Sequence, residues 1–260
     1  MQRKHFLLFL LLPSLVMSCE KIINVDVKDS EQKLVIEGVI DNESGVFTHT
    51  ILVSKTNKLS AENKRNTVSG AIVVVTDVTI NEADTALETE PGRYITQKTA
   101  GVPGHTYQLS VLAEGKTYTS MSTMPQPVRL DSLYTEEYSF FGESFKQVIP
   151  VFQDPAGVKN YYRFSTTTND SSNNNFQAWD DQLSDGKLNS RPLFNNDDLK
   201  KGDTVTVFMN CIDKATFDFF NTLENAQGSG QTPANPLSNI PGALGYFSAL
   251  TVQRKTIIIP

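Results

Sequence analysis

Between Leu34 and Met121 the chain is cut into short runs of β-branched, aromatic and aliphatic residues, each stopped by glycine, proline, asparagine or a charged turn. The runs are Leu34–Ile40, Phe47–Ser54, Ala71–Val78, Arg93–Thr96, Thr106–Leu112 and Thr117–Met121. Helical period is absent from them, whereas Tyr107, Leu109 and Val111 alternate as a strand with one buried face requires. Asp41-Asn42-Glu43-Ser44-Gly45 and Ala113-Glu114-Gly115-Lys116 read as hairpin links. Strands at this spacing each need one face covered, which predicts two packed sheets, a β-sandwich over residues 32–125.

Met124-Pro125-Gln126-Pro127 stops the ladder, because proline gives it no donor, and marks a boundary. A second, mostly β domain with one or more short helices is expected over 128–260. Val128–Leu133, Gln147–Phe152, Tyr161–Thr167, Ala249–Val252 and Thr256–Ile259 read as its strands, and Asp154-Pro155-Ala156-Gly157 as a turn. Asp213–Leu223 reads as a helix capped by Asp213, with Phe217, Phe220 and Leu223 on one stripe. Asn169–Lys201 reads as a long polar loop region into which Phe176, Trp179, Leu183 and Phe194 are set. Loops of this length are usually functional or mobile. Trp179, the only tryptophan, fits a stacking platform for a sugar or another planar ligand, or an anchor for its own loop. With Phe176 and with Tyr246 from the late Asn235–Phe247 segment it makes up the candidate ligand-binding set.

Ahead of the strands, Gln2-Arg3-Lys4-His5 is cationic, Phe6–Leu12 is unbroken apolar sequence, and Ser18 precedes Cys19. This is the pattern of an export signal over 1–18. Its apolar run falls short of the about 20 residues that cross a bilayer. A cysteine directly after a small cleavage-site residue is where bacterial lipoproteins carry diacylglycerol, so Cys19 is the expected lipid-attachment residue. Val16 and Ser18 suit that motif, while Met17 is bulkier than usual. At about 0.8 kcal/mol per buried methylene, two or three acyl chains such as palmitate hold a protein at a membrane where one does not. Residues 19–31 then form a tether, although Ile22, Ile23, Val25 and Val27 also suit a first strand.

The chain has 23 Lys+Arg against 29 Asp+Glu, and cleavage after residue 18 removes Arg3 and Lys4 but no acid. Such a body is repelled by phosphate, so nucleic acid is not an expected partner. With Cys19 lipidated, Cys211 is the one thiol left of 2, which excludes an intrachain disulfide and a thiolate metal cluster and reads as a small buried residue. No metal is expected at Asp181–Gly186 either: Leu183 stands where a calcium loop needs an oxygen and Pro192 where it needs its closing glutamate. Only His49 and His105 remain of the 3 histidines, and both read as structural or solvent-facing. No nucleophile elbow, zinc helix or phosphate loop occurs, so neither an enzyme nor a cofactor is expected. A glycan or peptide hydrolase stays as an alternative, because two carboxylates brought together by folding suffice for glycoside cleavage.

Two resemblances add to this reading. Gly70–Asp77, Pro91-Gly92-Arg93-Tyr94, Gly104–Leu109 and Gly115-Lys116-Thr117-Tyr118 resemble carboxypeptidase-regulatory or transthyretin-like, Ig-like sandwiches, which implies a scaffold for the front half. Cys19–Asp26, Leu34-Val35-Ile36-Glu37-Gly38, Asn235–Ile240 and Gly245-Tyr246-Phe247 resemble the Bacteroidota lipoproteins grouped as domain of unknown function 4249, over nearly the whole chain. That likeness implies a lipid-anchored outer-membrane protein, often encoded beside a TonB-dependent transporter, with no active-site residues to carry over. The expected role is accordingly a non-catalytic accessory that binds a small ligand or the transporter in nutrient uptake. A structural or adhesive subunit of fimbrial type is the alternative. The membrane face, periplasmic or outward, is left open.

Overall fold

A computed structural model describes residues 31–43, 45, 47–57, 65–140, 142–194, 198–227 and 236–260. The signal, Cys19 and the tether, apart from Glu31, lie outside the described residues. In chain order the front half forms β1 (Leu34–Asp41), β2 (Thr50–Lys55), β3 (Asn66–Thr67), β4 (Ile72–Asp77), β5 (Glu82–Thr85), β6 (Leu87–Glu90), β7 (Arg93–Ile95), β8 (Thr106–Ala113) and β9 (Lys116–Thr123). The rest forms β10 (Ser132–Phe140), β11 (Glu143–Gln153), β12 (Tyr161–Thr168), β13 (Ser171–Asp180), β14 (Leu188–Asn189), β15 (Thr204–Ile212), helix α1 (Lys214–Gln227) and β16 (Leu244–Ile258). The fold is mainly β with one helix among the described residues, as the strand-like runs predict.

Three sheets build it. A nine-stranded sheet runs β13-β12-β15-β16-β1-β2-β7-β6, with β3 added to β2; beside it stand β5-β4-β8-β9 and β10-β11-β14. The front sandwich packs the β1 and β2 side of the large sheet against the four-stranded one, burying Ile36, Ile51, Val75, Tyr94, Leu109 and Phe247 among others. A second cluster, with Phe152, Tyr162, Phe164, Trp179, Val207 and Met209, fills the space between β12-β15 and β10-β11. Met124 belongs to the first cluster and Val128 to the second. The late residues Ile240, Ala243, Phe247 and Ala249 nevertheless join the first.

Those late residues arrive through β16, which serves both cores. Its first half pairs parallel with β1, from Val35 with Leu244 to Asp41 with Leu250. Its second half pairs antiparallel with β15, from Cys211 with Thr251 to Thr204 with Ile258. Because β1 and β16 run the same way, the second unit lies beyond the Asp41 end of β1, away from Glu31. The free side of the first half of β16 is closed by side chains. Asn239 donates its amide to Phe247 O (2.7 Å) and accepts from Phe247 N (2.9 Å), while Ala249 N donates to Ser122 Oγ on β9 (2.8 Å).

One expectation is corrected here. The polar stretch after Asn169 is not a loop but the hairpin partner of β12, paired from Thr168 with Ser171 to Tyr161 with Asp180. Asn169 and Asp170 take φ of 50° and 61°, the left-handed pair that a two-residue hairpin turn needs and that Asn and Asp tolerate. Pairing with a central strand outweighs the low strand propensity of Ser and Asn. The Glu114-Gly115 hairpin uses the same geometry, with φ of 51° and 77°.

Helix α1 forms where its cap predicts. Asp213 Oδ1 accepts from Thr216 N (2.8 Å), and Oδ2 accepts from Ser122 Oγ (2.6 Å), so one carboxylate both starts the helix and ties it to β9. Asp213→Ala should lower stability by about 1–2 kcal/mol, the usual loss for a cap with one further bond to a charged group. Asp213→Asn should recover most of it. Urea midpoints of the two variants test this, and equal losses would contradict the cap.

Candidate functional site

Strand alternation sends Glu37, Val39 and Asp41 of β1, Thr50 and Leu52 of β2, and Tyr246 of β16 to the outer face of the large sheet. There, with Thr48 and His49, they line a groove of about 330 Å³. Helix α1 stands beside it, Phe219 and Phe220 lying 4.9 and 4.8 Å from the Tyr246 ring. Burial pushes the Tyr246 phenol above its ordinary value, against the opposing pull of the Arg163 charge. Glu37 is opposite Tyr246 in register and pairs with Arg65 at 3.3 Å. The groove thus offers an aromatic edge, an apolar floor of Val39 and Leu52, and a rim of hydroxyls and carboxylates. That composition can hold a small polar ligand.

His49, the only imidazole at the groove, is 3% exposed and fully engaged. Its backbone N–H donates to Thr96 Oγ1 (2.7 Å), Nε2 donates to Thr99 O (3.2 Å), and Nδ1 faces Asp41 N at 3.5 Å. Burial holds it below the ordinary value of 6.5, although the Asp41 carboxylate pulls the other way. The unfolded chain therefore binds more protons at this site once the pH drops below about 6.5, so the stability tied to neutral His49 is complete above that pH and declines below it. His49→Gln should flatten the change in urea midpoint between pH 7.5 and 5.5. An unchanged slope would show that the imidazole titrates alike in both states.

Of the three aromatic residues singled out in the sequence, the structure brings two together. Phe176 and Tyr246 flank Phe220, at 5.2 and 4.8 Å, and Arg163 lies over Phe220 (4.4 Å) and Phe176 (5.5 Å). This box fastens α1 to the sheet, and only Tyr246 reaches the groove. Trp179 lies three residues from Phe176 on β13 and so faces the other side. It is 9% exposed, with Phe164 at 4.3 Å and the Arg191 guanidinium 4.2 Å from its ring. A planar ligand could stack there only by displacing Arg191.

Other polar clusters are structural in their contacts. Asp154, Asp181 and Asp185 carry oxygens within 4.8 Å of one another, but each is supplied with donors. Tyr162 OH and Gly186 N donate to Asp154, Lys159 and Asn160 N to Asp181, and Gly157 N to Asp185. They lace the 154–160 turn to the 181–187 turn. His105 Nδ1 bonds Asp77 at 2.7 Å, and Cys211 is a free, buried thiol that accepts from Val128 N.

The groove escaped sequence reasoning, although Glu37, Val39 and Asp41 alternate visibly with Ile36 and Ile40. What was hidden is the parallel pairing that carries Tyr246 to Glu37 across some 200 residues of chain. The family described as Domain of unknown function (DUF4249) matches residues 20–256. No curated protein matches the chain.

Proposed function

Since the chain belongs to the DUF4249 family, we propose that it is a non-catalytic accessory binding protein, held at the outer membrane by lipid on Cys19 and working with a TonB-dependent transporter in nutrient uptake. The observation that carries the binding role is the groove of about 330 Å³ beside Tyr246, which joins an aromatic edge to hydroxyls and carboxylates. The Ser18-Cys19 pattern supports the anchor. One feature weighs against the fimbrial alternative, in which strands add edge to edge: Glu224 of α1 occupies Ala178 N on the outer edge of β13 (3.0 Å), and an edge covered by a helix is a poor template for a further strand.

The experiment is recovery of the tagged full chain from solubilised membranes, beside the Cys19→Ser and Tyr246→Ala variants. The native chain should fractionate with the membrane and bring down a TonB-dependent transporter. Cys19→Ser should leave the membrane fraction, and Tyr246→Ala should stay there while losing a ligand-induced rise in melting temperature. Repeated recovery without a transporter, together with no ligand shift for the native chain, would overturn the proposal.

A further inference from the structure

The outward face of β5-β4-β8-β9 differs from every other sheet face of the protein in carrying no charge. Registers fix which side chains stand on it: Ile72 is opposite Leu112, Val74 is opposite both Thr85 and Ser110, Ser110 is opposite Thr119, and Gln108 is opposite Met121. The remaining outward positions are Thr or Ala. Ile72 and Met121 are each 55% exposed, so nothing among the described residues covers them. The other faces bear Glu37 and Asp41, Arg163 and Arg254, or Glu136. On a chain with 29 acidic residues this face sets the exposed apolar side chains Ile72, Leu112 and Met121 among uncharged hydroxyls and an amide, and exposed apolar side chains grouped on one face mark contacts.

We propose that this face is where two copies of the chain meet, sheet against sheet. Charge decides the occupant. A partner that brought a carboxylate or an ammonium here would desolvate it against Val74 and Leu112 with nothing to pair it. Two acidic copies repel elsewhere, yet at this face no like charges are opposed. A two-fold contact sets this same uncharged patch against itself, so a second copy meets it without electrostatic penalty. Area sets the strength: four strands about 4.8 Å apart and about 3.3 Å per residue give a face on the order of 500 Å². Doubled, that is about 1,000 Å², the lower limit of specific association. The dimer is therefore weak in dilute solution and favoured when copies are concentrated on one membrane.

Packed sheets stand about 10 Å apart, which suits a bis-maleimide linker of that reach better than a disulfide. The test uses the full chain in its own membranes with Ser110→Cys, at the centre of the face, compared with Thr256→Cys on the outer face of the second unit. Native Cys211 is buried, so the native chain sets the background. A band at twice the monomer mass should form from Ser110→Cys with about tenfold the yield of Thr256→Cys, a difference on the scale of one decade in association constant. Adding Thr119→Asp and Met121→Asp should return it to the control level with an unchanged circular dichroism spectrum. Equal yields at 110 and 256, persistence of the band in the aspartate variant, or capture only of a species of another mass would each overturn the proposal. None of these outcomes depends on ligand or transporter binding.

Discussion

Gly245→Ala should cost the protein about 3 kcal/mol or more and loosen both cores at once. Gly245 sits in the β1–β16 ladder opposite Ile36 with φ of +97°, a backbone that L side chains rarely adopt. A Cβ built there would lie 2.0 Å from Ile36 O and 2.8 Å from Ile36 C. Both neighbours are backbone, so relief requires β16 to move off β1. Left-handed strain contributes about 1–3 kcal/mol and overpacking a further 1–3. Because β16 continues into the second unit, tryptophan emission, which reports the second core, should shift to lower urea together with far-ultraviolet ellipticity. A loss below about 1 kcal/mol, or a shift confined to one probe, would contradict the shared strand.

Phe164→Ala should be the most damaging single truncation in the second unit. Phe164 is 1% exposed and touches three rings: Trp179 at 4.3 Å, Phe152 at 5.8 Å and Tyr162 at 6.4 Å. Removing it deletes the transfer free energy of a phenyl group and leaves a cavity that aromatic neighbours fill poorly, about 3–5 kcal/mol. Trp179 would lose its Phe164 neighbour while keeping the Arg191 guanidinium 4.2 Å from its ring, so native-state emission should move to longer wavelength. Phe164→Leu should recover a good part of the stability. Unaltered emission in Phe164→Ala would mean that the indole rests on other groups.

What was legible in the sequence follows from local rules. Alternation in Leu34–Ile40 and Thr106–Leu112, the turn residues Glu114-Gly115 and the cap at Asp213 all act over a few residues, and all are local in the structure. The strand Ser171–Asp180 was hidden because Ser and Asn runs carry no β signal of their own and are held by β12. Trp179 was read as lying in a polar loop, and only the hairpin turns it inward onto Phe164. The groove and the uncharged face depend on strands distant in sequence. The outward residues of β4, β8 and β9 are individually ordinary threonines, aliphatics and other uncharged side chains, and their shared lack of charge becomes visible only when register sets them side by side.

The parallel contact of β1 with β16 also has a mechanical side. Glu31 precedes β1 at one end of the body, and Ile258 closes β16 at the other. A pull between the two ends would draw these neighbouring strands in opposite directions along their own axes. The seven residue pairs from Val35–Leu244 to Asp41–Leu250 would then be loaded together in shear instead of being unzipped one at a time. A chain held at its start and tugged at its far unit would thus meet its highest resistance at the seam through Gly245.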